Sequence, residues 1–448
     1  MTSNAAPTAT GREHLGLSAV VLFGLAYLAP LIVLGTYGVV SQASHGATAG
    51  SYLLALVAML FTAASYGKMA ARHPVAGSAY AYVSQAIDRR VGFMIGWAVM
   101  LDYLFLPMVI WLIGAVYLRD QFPKIPAPVF VLMFIASSTI LNIVGFRVAK
   151  SANLLLMIFQ ALVIVLFVGL AFAFVASGQG AAGLVNPAPF VNPATALGPI
   201  AAGAAIAAYS FLGFDAVTTL SEETRNARRT LPIAIWLVAG IGGGVFILVA
   251  YAAQLAHPGF AFTDPAAAAD QIALAIGGLA FKSFFLAGMV LAQFASGLAA
   301  QAAGARLIHA MARDGVLPKR LLGQLDPRFG TPKAAIVLTG MVGLMALFLS
   351  VESSTSFINF GAFSAFCAVN LAVIATALRD GLRPTGFKLV GWFLAPLAGG
   401  TIDAWLLTRL EAPALILGVT WLTLGLAVLV YLTGGFRRPP PALSIEEL

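Results

Sequence analysis

"AYSFLGFDAVTTLSEETRNARRTLP", from Ala208 to Pro232, begins as apolar as a membrane helix, places Gly213 and Asp215 inside the hydrophobic run, and ends in acids and arginines. In a water-soluble protein this would be an ordinary helix end. Inside a bilayer it is not, because a glycine lets the backbone leave helical geometry and lipid offers no partner for the freed N–H and C=O groups. The rest of the chain decides the setting. Of its 448 residues, 60% are hydrophobic and 9% charged, with mean hydropathy +0.94. Water-soluble domains carry about 25% charged residues, so an ordinary globular enzyme is excluded.

A helix needs roughly 20 apolar residues to cross a bilayer. Twelve runs qualify: 18–40, 50–67, 92–118, 127–145, 152–176, 197–220, 232–256, 278–305, 334–350, 355–378, 388–408 and 412–433. The reading is an all-α integral membrane protein with twelve transmembrane helices. Residues 1–17 and 434–448 are then tails around a helical domain spanning 18–433. With the N-terminus cytoplasmic, only Arg119, Lys124, Lys282 and Arg409 of the 25 basic residues fall on the outer side. Basic residues gather on the cytoplasmic side of membrane proteins, so both tails are expected there, with the chain multi-pass in a cell inner (plasma) membrane. The same bias accounts for the net charge of +8 without a nucleic-acid partner. No A-x-A cleavage pattern follows the polar start, so a removed signal peptide is not expected.

Soluble chemistry is nearly missing from the sequence. It has no HExxH, CxxC, GxxxxGK[ST] or GxSxG, its five histidines are scattered, and its one cysteine, Cys367, lies in the tenth run. We expect no enzyme activity, no catalytic residues, no metal and no cofactor. ATP-driven transport is disfavoured because no phosphate-cradling loop is present.

The informative feature is backbone irregularity. The first run, "LFGLAYLAPLIVLGTYGVV", holds Gly24, Pro30, Gly35 and Gly38; the sixth holds Gly198, Pro199, Gly203, Gly213 and Asp215. Such residues can simply serve close helix packing. Two interrupted helices five runs apart point instead to a midplane site in a transporter built from repeats. There a bound substrate can satisfy the freed backbone groups, and the half-helix N-terminus suits a carboxylate. Asp215 would sit in the first turn of the second half-helix, capping N–H groups or holding a proton or an amine.

Pro30, Leu31, Ile32, Val33, Leu34 and Gly35, with Tyr209, Ser210, Phe211, Leu212, Gly213, Phe214 and Asp215, are therefore the candidate lining. Tyr103, Ser296 and Phe360 join them. Asp102, deep in the third run beside Tyr103, is a proton-coupling or amine-binding candidate, or a structural hydrogen-bonding group. Glu222 is a coupling candidate or one half of a gate pair with a loop arginine. Gln160, Gln293, Asn359 and Asn370 extend a polar path or form interhelical hydrogen bonds. Gly92 and Gly96 read as a packing face.

Three longer stretches carry a resemblance: "SYGKMAARHPVAGSAYAYVSQAIDRRVGFMIGW" (Ser65–Trp97), "GFDAVTTLSEETRNARRTLPIAI" and "ARLIHAMARDGVLPKRLLGQLDPRFGTPKAAIVL" (Ala305–Leu338). The chain resembles the amino acid–polyamine–organocation (APC) transporters over residues 16–435. Within them it is most similar to bacterial putrescine importers, through "GLAYLAP", "LDYLFLPM", "SFLGFDAVTTLSEET", "ASGLAAQAA" and "INFGAF". The resemblance implies a LeuT-like 5+5 inverted repeat with broken first and sixth helices: repeat one at 18–176, repeat two at 197–378, and two extra helices at 388–433. It also implies proton-coupled uptake of a small amine or amino acid. Two departures stand out. The importers align an aspartate with Gly35, and a fifth-helix lysine of some amino-acid members aligns with Gln160. A neutral amino acid or monoamine permease or exchanger is therefore the alternative reading; a channel is disfavoured by the lack of a filter such as TVGYG.

Overall fold

The computed structural model describes residues 15–74, 78–145, 150–191, 195–221, 223–382 and 385–441. Among these residues it is all helix apart from turns and one isolated bridge between Leu15 and Thr224. The opening helices are α1 (Leu17–Leu28), α2 (Ile32–Ala43), α3 (Thr48–Arg72), the short α4 (Ser78–Ala86), α5 (Arg89–Gln121), α6 (Ala127–Val144) and α7 (Lys150–Gln179). The chain continues through α8 (Leu197–Ala207), α9 (Ala227–Ala256), α10 (Ala268–Arg313), α11 (Lys319–Leu322), α12 (Lys333–Gly343) and α13 (Val351–Arg379). It ends with α14 (Phe387–Leu389), a π turn at Val390–Leu394, α15 (Ala395–Leu407) and α16 (Ala412–Leu432).

Ten helices are long and apolar enough to cross a membrane, and α1 and α2, bent by 51° about a short break, count as an eleventh if they form one span. The run at 334–350 becomes a shorter apolar helix, Lys333–Leu347, whose last turn tightens to 3-10 geometry. This is a multi-pass membrane protein. Its outer surface agrees: Leu155, Val165 and Ile416 are 66–68% exposed on α7 and α16, a sheath that suits hydrocarbon and not water.

Small residues set the packing. α3 lies along α9, so close at Gly67 that a Cβ there would meet the Pro232 ring and backbone at 3.2 Å. A 33-residue helix rises about 50 Å, so α5 runs through the whole thickness. It packs on α10, α13, α6, α12 and α16. Gly297 and Gly343 leave room there for the indole of Trp111. Two groups result: α1, α2, α3, α8 and α9 on one side, and α5, α6, α10 and α12 on the other, with α13 touching both.

Three details differ from the expectation. The first interruption falls at Ala29–Leu31, where Ala29 takes a left-handed φ of 45°, while Gly35 is helical inside α2. The second half of the sixth span, Phe214–Leu220, is wound as a 3-10 helix. Its Val217–Thr218–Thr219 run is β-branched, which lowers α-helical preference. The sequence reading began the eighth span at 278; the structure puts a break at Gly278 (φ 64°), dividing α10 into a short leading piece and the long helix.

Candidate functional site

The two breaks face each other across one cavity of about 340 Å³. At the first, α1 ends when Ala29 turns left-handed and donates its N–H back to Ala26; Pro30, with no N–H, leaves none unpaired there. α2 then restarts, and Tyr117 of α5 donates its hydroxyl to the Leu34 carbonyl at 2.7 Å, pinning its first turn. At the second, Gly213 holds φ 102°, a conformation open to glycine, and its α-hydrogen faces the ring of Tyr27 so closely that a Cβ would overlap it. Ending α8 at Ala207 frees carbonyls, and Asn359 of α13 meets them: its Nδ2 donates to Ala205 O at 2.7 Å and to Ile206 O at 3.4 Å.

The cavity draws its walls from α1, the break after it, α5, α10, the 208–219 segment, α7 and α13. Of the candidates, Pro30, Leu31, Ile32, Asp102, Tyr103, Tyr209, Leu212, Gly213, Asp215 and Ser296 line it. Asp215 occupies the first turn of the 3-10 half-helix. Val33, Leu34, Gly35, Ser210, Phe211, Phe214 and Phe360 are outside the lining. A Cβ on Gly35 would point to Ile113, Met289 and Gln293 at 3.2–3.6 Å, and Phe360 packs its ring against Gly418 of α16. Phe211 packs edge-on against Phe246, and Ser210 lies 3.4 Å from the Tyr52 hydroxyl. Phe214 sits behind Tyr66 and Phe366 in an aromatic cluster. Glu222 lies outside the described residues.

Tyr27, Tyr66, Tyr80, Gly96 and Phe366 complete walls that the sequence reading did not assign to the site, and Gln160 and Gln293, read as polar-path candidates, are there too. Only Tyr27 carried a signal, lying three residues before the Pro30 break. Gly92, by contrast, packs on Ser84 of α4. Two carboxyl groups and five tyrosines line the cavity, with no lysine, arginine or histidine among the lining residues. Oδ1 of Asp102 is buried with no hydrogen-bond partner among the described residues. Such a wall is electronegative and rich in ring faces, both of which attract a cation.

The lining comes from the ends of α5 and α10 that carry the basic loops: Gly96 to Ile110 of α5, and Ala292 to Leu307 of α10. Toward the other ends the helices pack closely and are joined by ion pairs. Gly38 of α2 meets the Pro265 carbonyl with no room for a Cβ, and Tyr37 stacks edge-on against Phe262. Arg119 pairs with Asp264 at 2.5 Å, and Lys282 pairs with Asp270 at 2.7 Å and Asp120 at 3.1 Å. Gln254 ties the same end together, accepting hydroxyl hydrogens from Tyr37, Ser41 and Thr48 on Oε1 at 2.8–3.1 Å.

Comparison with known proteins matches residues 20–388 to the amino acid permease family. The chain is 38% identical to the low-affinity putrescine importer PlaP of Escherichia coli over 96% of each chain. It is 26% identical to the branched-chain amino acid permease BcaP of Bacillus subtilis, over 93% of this chain and 92% of that one. Against human cationic amino acid transporter 4 it is 28% identical, covering 83% of this chain and 59% of the relative.

Proposed function

We propose, from the premise that this chain belongs to the amino acid permease family of the APC superfamily, that it is a secondary active importer of a small organic amine. The observation that carries this reading is the charge of the cavity: Asp102 and Asp215 share it with five tyrosines and no basic side chain. An ammonium group would pair with a carboxylate and lie over ring faces; a diamine could use both acids. The 38% identity to a putrescine importer agrees with that class. The cavity volume suits a ligand of a few heavy atoms.

In this reading the bent pair, the ten long helices and Lys333–Leu347 make twelve spans. Residues 18–176 and 197–378 are inverted repeats, each opening with its broken helix, and 388–433 adds two helices. With the basic loops cytoplasmic, the cavity faces inward and the ion pairs around Lys282 close the outside. Transport rocks the α1–α2–α3–α8–α9 group against the rest. Gly35 is set away from the cavity, so its lack of a carboxylate does not disfavour a diamine. A proton is the coupling ion, carried by Asp102 or Asp215.

Purified protein in proteoliposomes should show counterflow of labelled putrescine, competed by amines and not by leucine. Competition by leucine alone would replace the amine with a neutral amino acid. Flux without counterflow would make the protein a channel.

A further inference from the structure

Another buried carboxyl group lies away from the cavity. Asp403, on α15, is fully buried, and its Oδ2 accepts the Thr62 hydroxyl of α3 at 2.7 Å and the Asn370 amide of α13 at 3.1 Å. Ser65, one turn along α3, donates to Asn370 Oδ1 at 2.6 Å. The amide orientation is fixed independently of Asp403, because Asn370 Nδ2 also donates to the Phe366 carbonyl at 3.0 Å and to Thr62 Oγ1 at 2.9 Å. Every donor thus reaches Oδ2. Oδ1 is buried with no partner among the described residues.

No cation answers this carboxyl group. Asp403 forms no ion pair among the described residues, and the titratable group on α13 that feels it is Cys367, a thiol. On α3, Tyr52 bonds toward Thr36 and Ser210, Tyr66 packs on Tyr82, Phe214 and Phe366, and Lys68 lies against Gly391 of the π turn. α8 and the π turn, also packed on α15, bear no titratable side chain. A carboxylate this deep with two neutral donors and no cation is held at greater cost than a neutral acid with one unpaired O–H. An asparagine would supply the same shape without that choice.

We propose that Asp403 is a second proton-binding site, loaded on Oδ1 in this conformation and emptied when α3 slides past α13 and α15. The inference rests on the transporter reading, because α3 belongs to the group that would rock. Its hydrogen bonds to Asp403 and Asn370 all cross the seam where that motion takes place. Breaking them opens the carboxyl group to water; the Oδ1 proton leaves to that water, and the resulting anion is hydrated.

Two measurements test this. Infrared spectra of the wild type at neutral pH should contain the C=O band of a buried protonated carboxyl group, missing from Asp403→Asn. Thr62→Val should retain the band but raise its frequency, since the C=O at Oδ2 loses a donor; this variant serves if Asp403→Asn does not insert. In proteoliposomes at clamped potential, each coupled proton gives about tenfold accumulation per unit of imposed pH gradient. Asp403→Asn should therefore lose about tenfold in putrescine accumulation while its exchange without a gradient persists. Superimposable wild-type and Asp403→Asn infrared spectra, or wild-type accumulation by Asp403→Asn, would overturn the proposal. If putrescine is not carried at all, the amine reading fails while the infrared result still decides the proton site.

Discussion

Replacing Gly213 with alanine probes the break in the sixth span directly. Two penalties arise there. A non-glycine residue at φ 102° is strained by about 1–3 kcal/mol. The new Cβ would also overlap the Tyr27 ring. Because Tyr27 is 43% exposed and lines the cavity, its ring can swing aside, so the clash stays near the low end for overpacking, about 1 kcal/mol. Together they give about 2–4 kcal/mol, or roughly a 30- to 700-fold loss in the population of this conformation. The strain is local and adds no charge to the bilayer, so expression and monodispersity should stay near wild type while putrescine counterflow falls by more than tenfold. A Tyr27→Ala/Gly213→Ala double variant should recover only the clash component, about fivefold. Counterflow by Gly213→Ala within twofold of wild type would refute the reasoning, because the left-handed turn would then be dispensable.

Three further outcomes are expected. Asp102→Asn keeps size and hydrogen bonding but cannot carry charge, so cationic substrates should lose at least tenfold in affinity, about 1.4 kcal/mol, with folding unchanged; unaltered competition by amines would remove Asp102 from recognition. In a Cys367→Ala background, cysteine at the exposed Gly180 should react with an impermeant reagent in intact cells and cysteine at the exposed Lys319 only after permeabilisation, and the reverse pattern would invert the orientation. Ser41, fully buried, is unsuitable for that purpose. In the loop before α12, Asp326 accepts N–H bonds from Arg328 and Phe329 at 2.9 and 3.1 Å, which hold its carboxyl group below the usual range. A lowered value means that the turn's contribution is present at neutral pH and is lost as pH falls through it. Amide exchange at Phe329 should accelerate relative to intrinsic rates on acidification, and a flat protection profile would contradict this.

Much of the fold was legible along the chain because lipid imposes a one-dimensional rule: every spanning segment must be long, apolar and internally hydrogen-bonded. That rule placed helices at all the apolar runs, and the break at Gly213 was visible because only glycine takes φ 102° without strain. Asp215 and Asp102 stood out for the same reason, as acids where hydrocarbon penalises charge. The sequence did not determine which face each residue presents. Gly35 and Pro30 are close in the same run, yet Pro30 lines the cavity and Gly35 packs among Ile113, Met289 and Gln293. The first break fell on Ala29, a residue with no intrinsic preference for a left-handed turn. Asn359 and Asn370 looked alike as polar residues of one helix. Tertiary contacts separated them, sending one to the carbonyls at the end of α8 and the other to Asp403. Local sequence sets what a backbone can do. Which partner each polar group meets depends on residues far along the chain, 154 positions for Asn359 and 33 for Asn370, and only the packed helices bring those together.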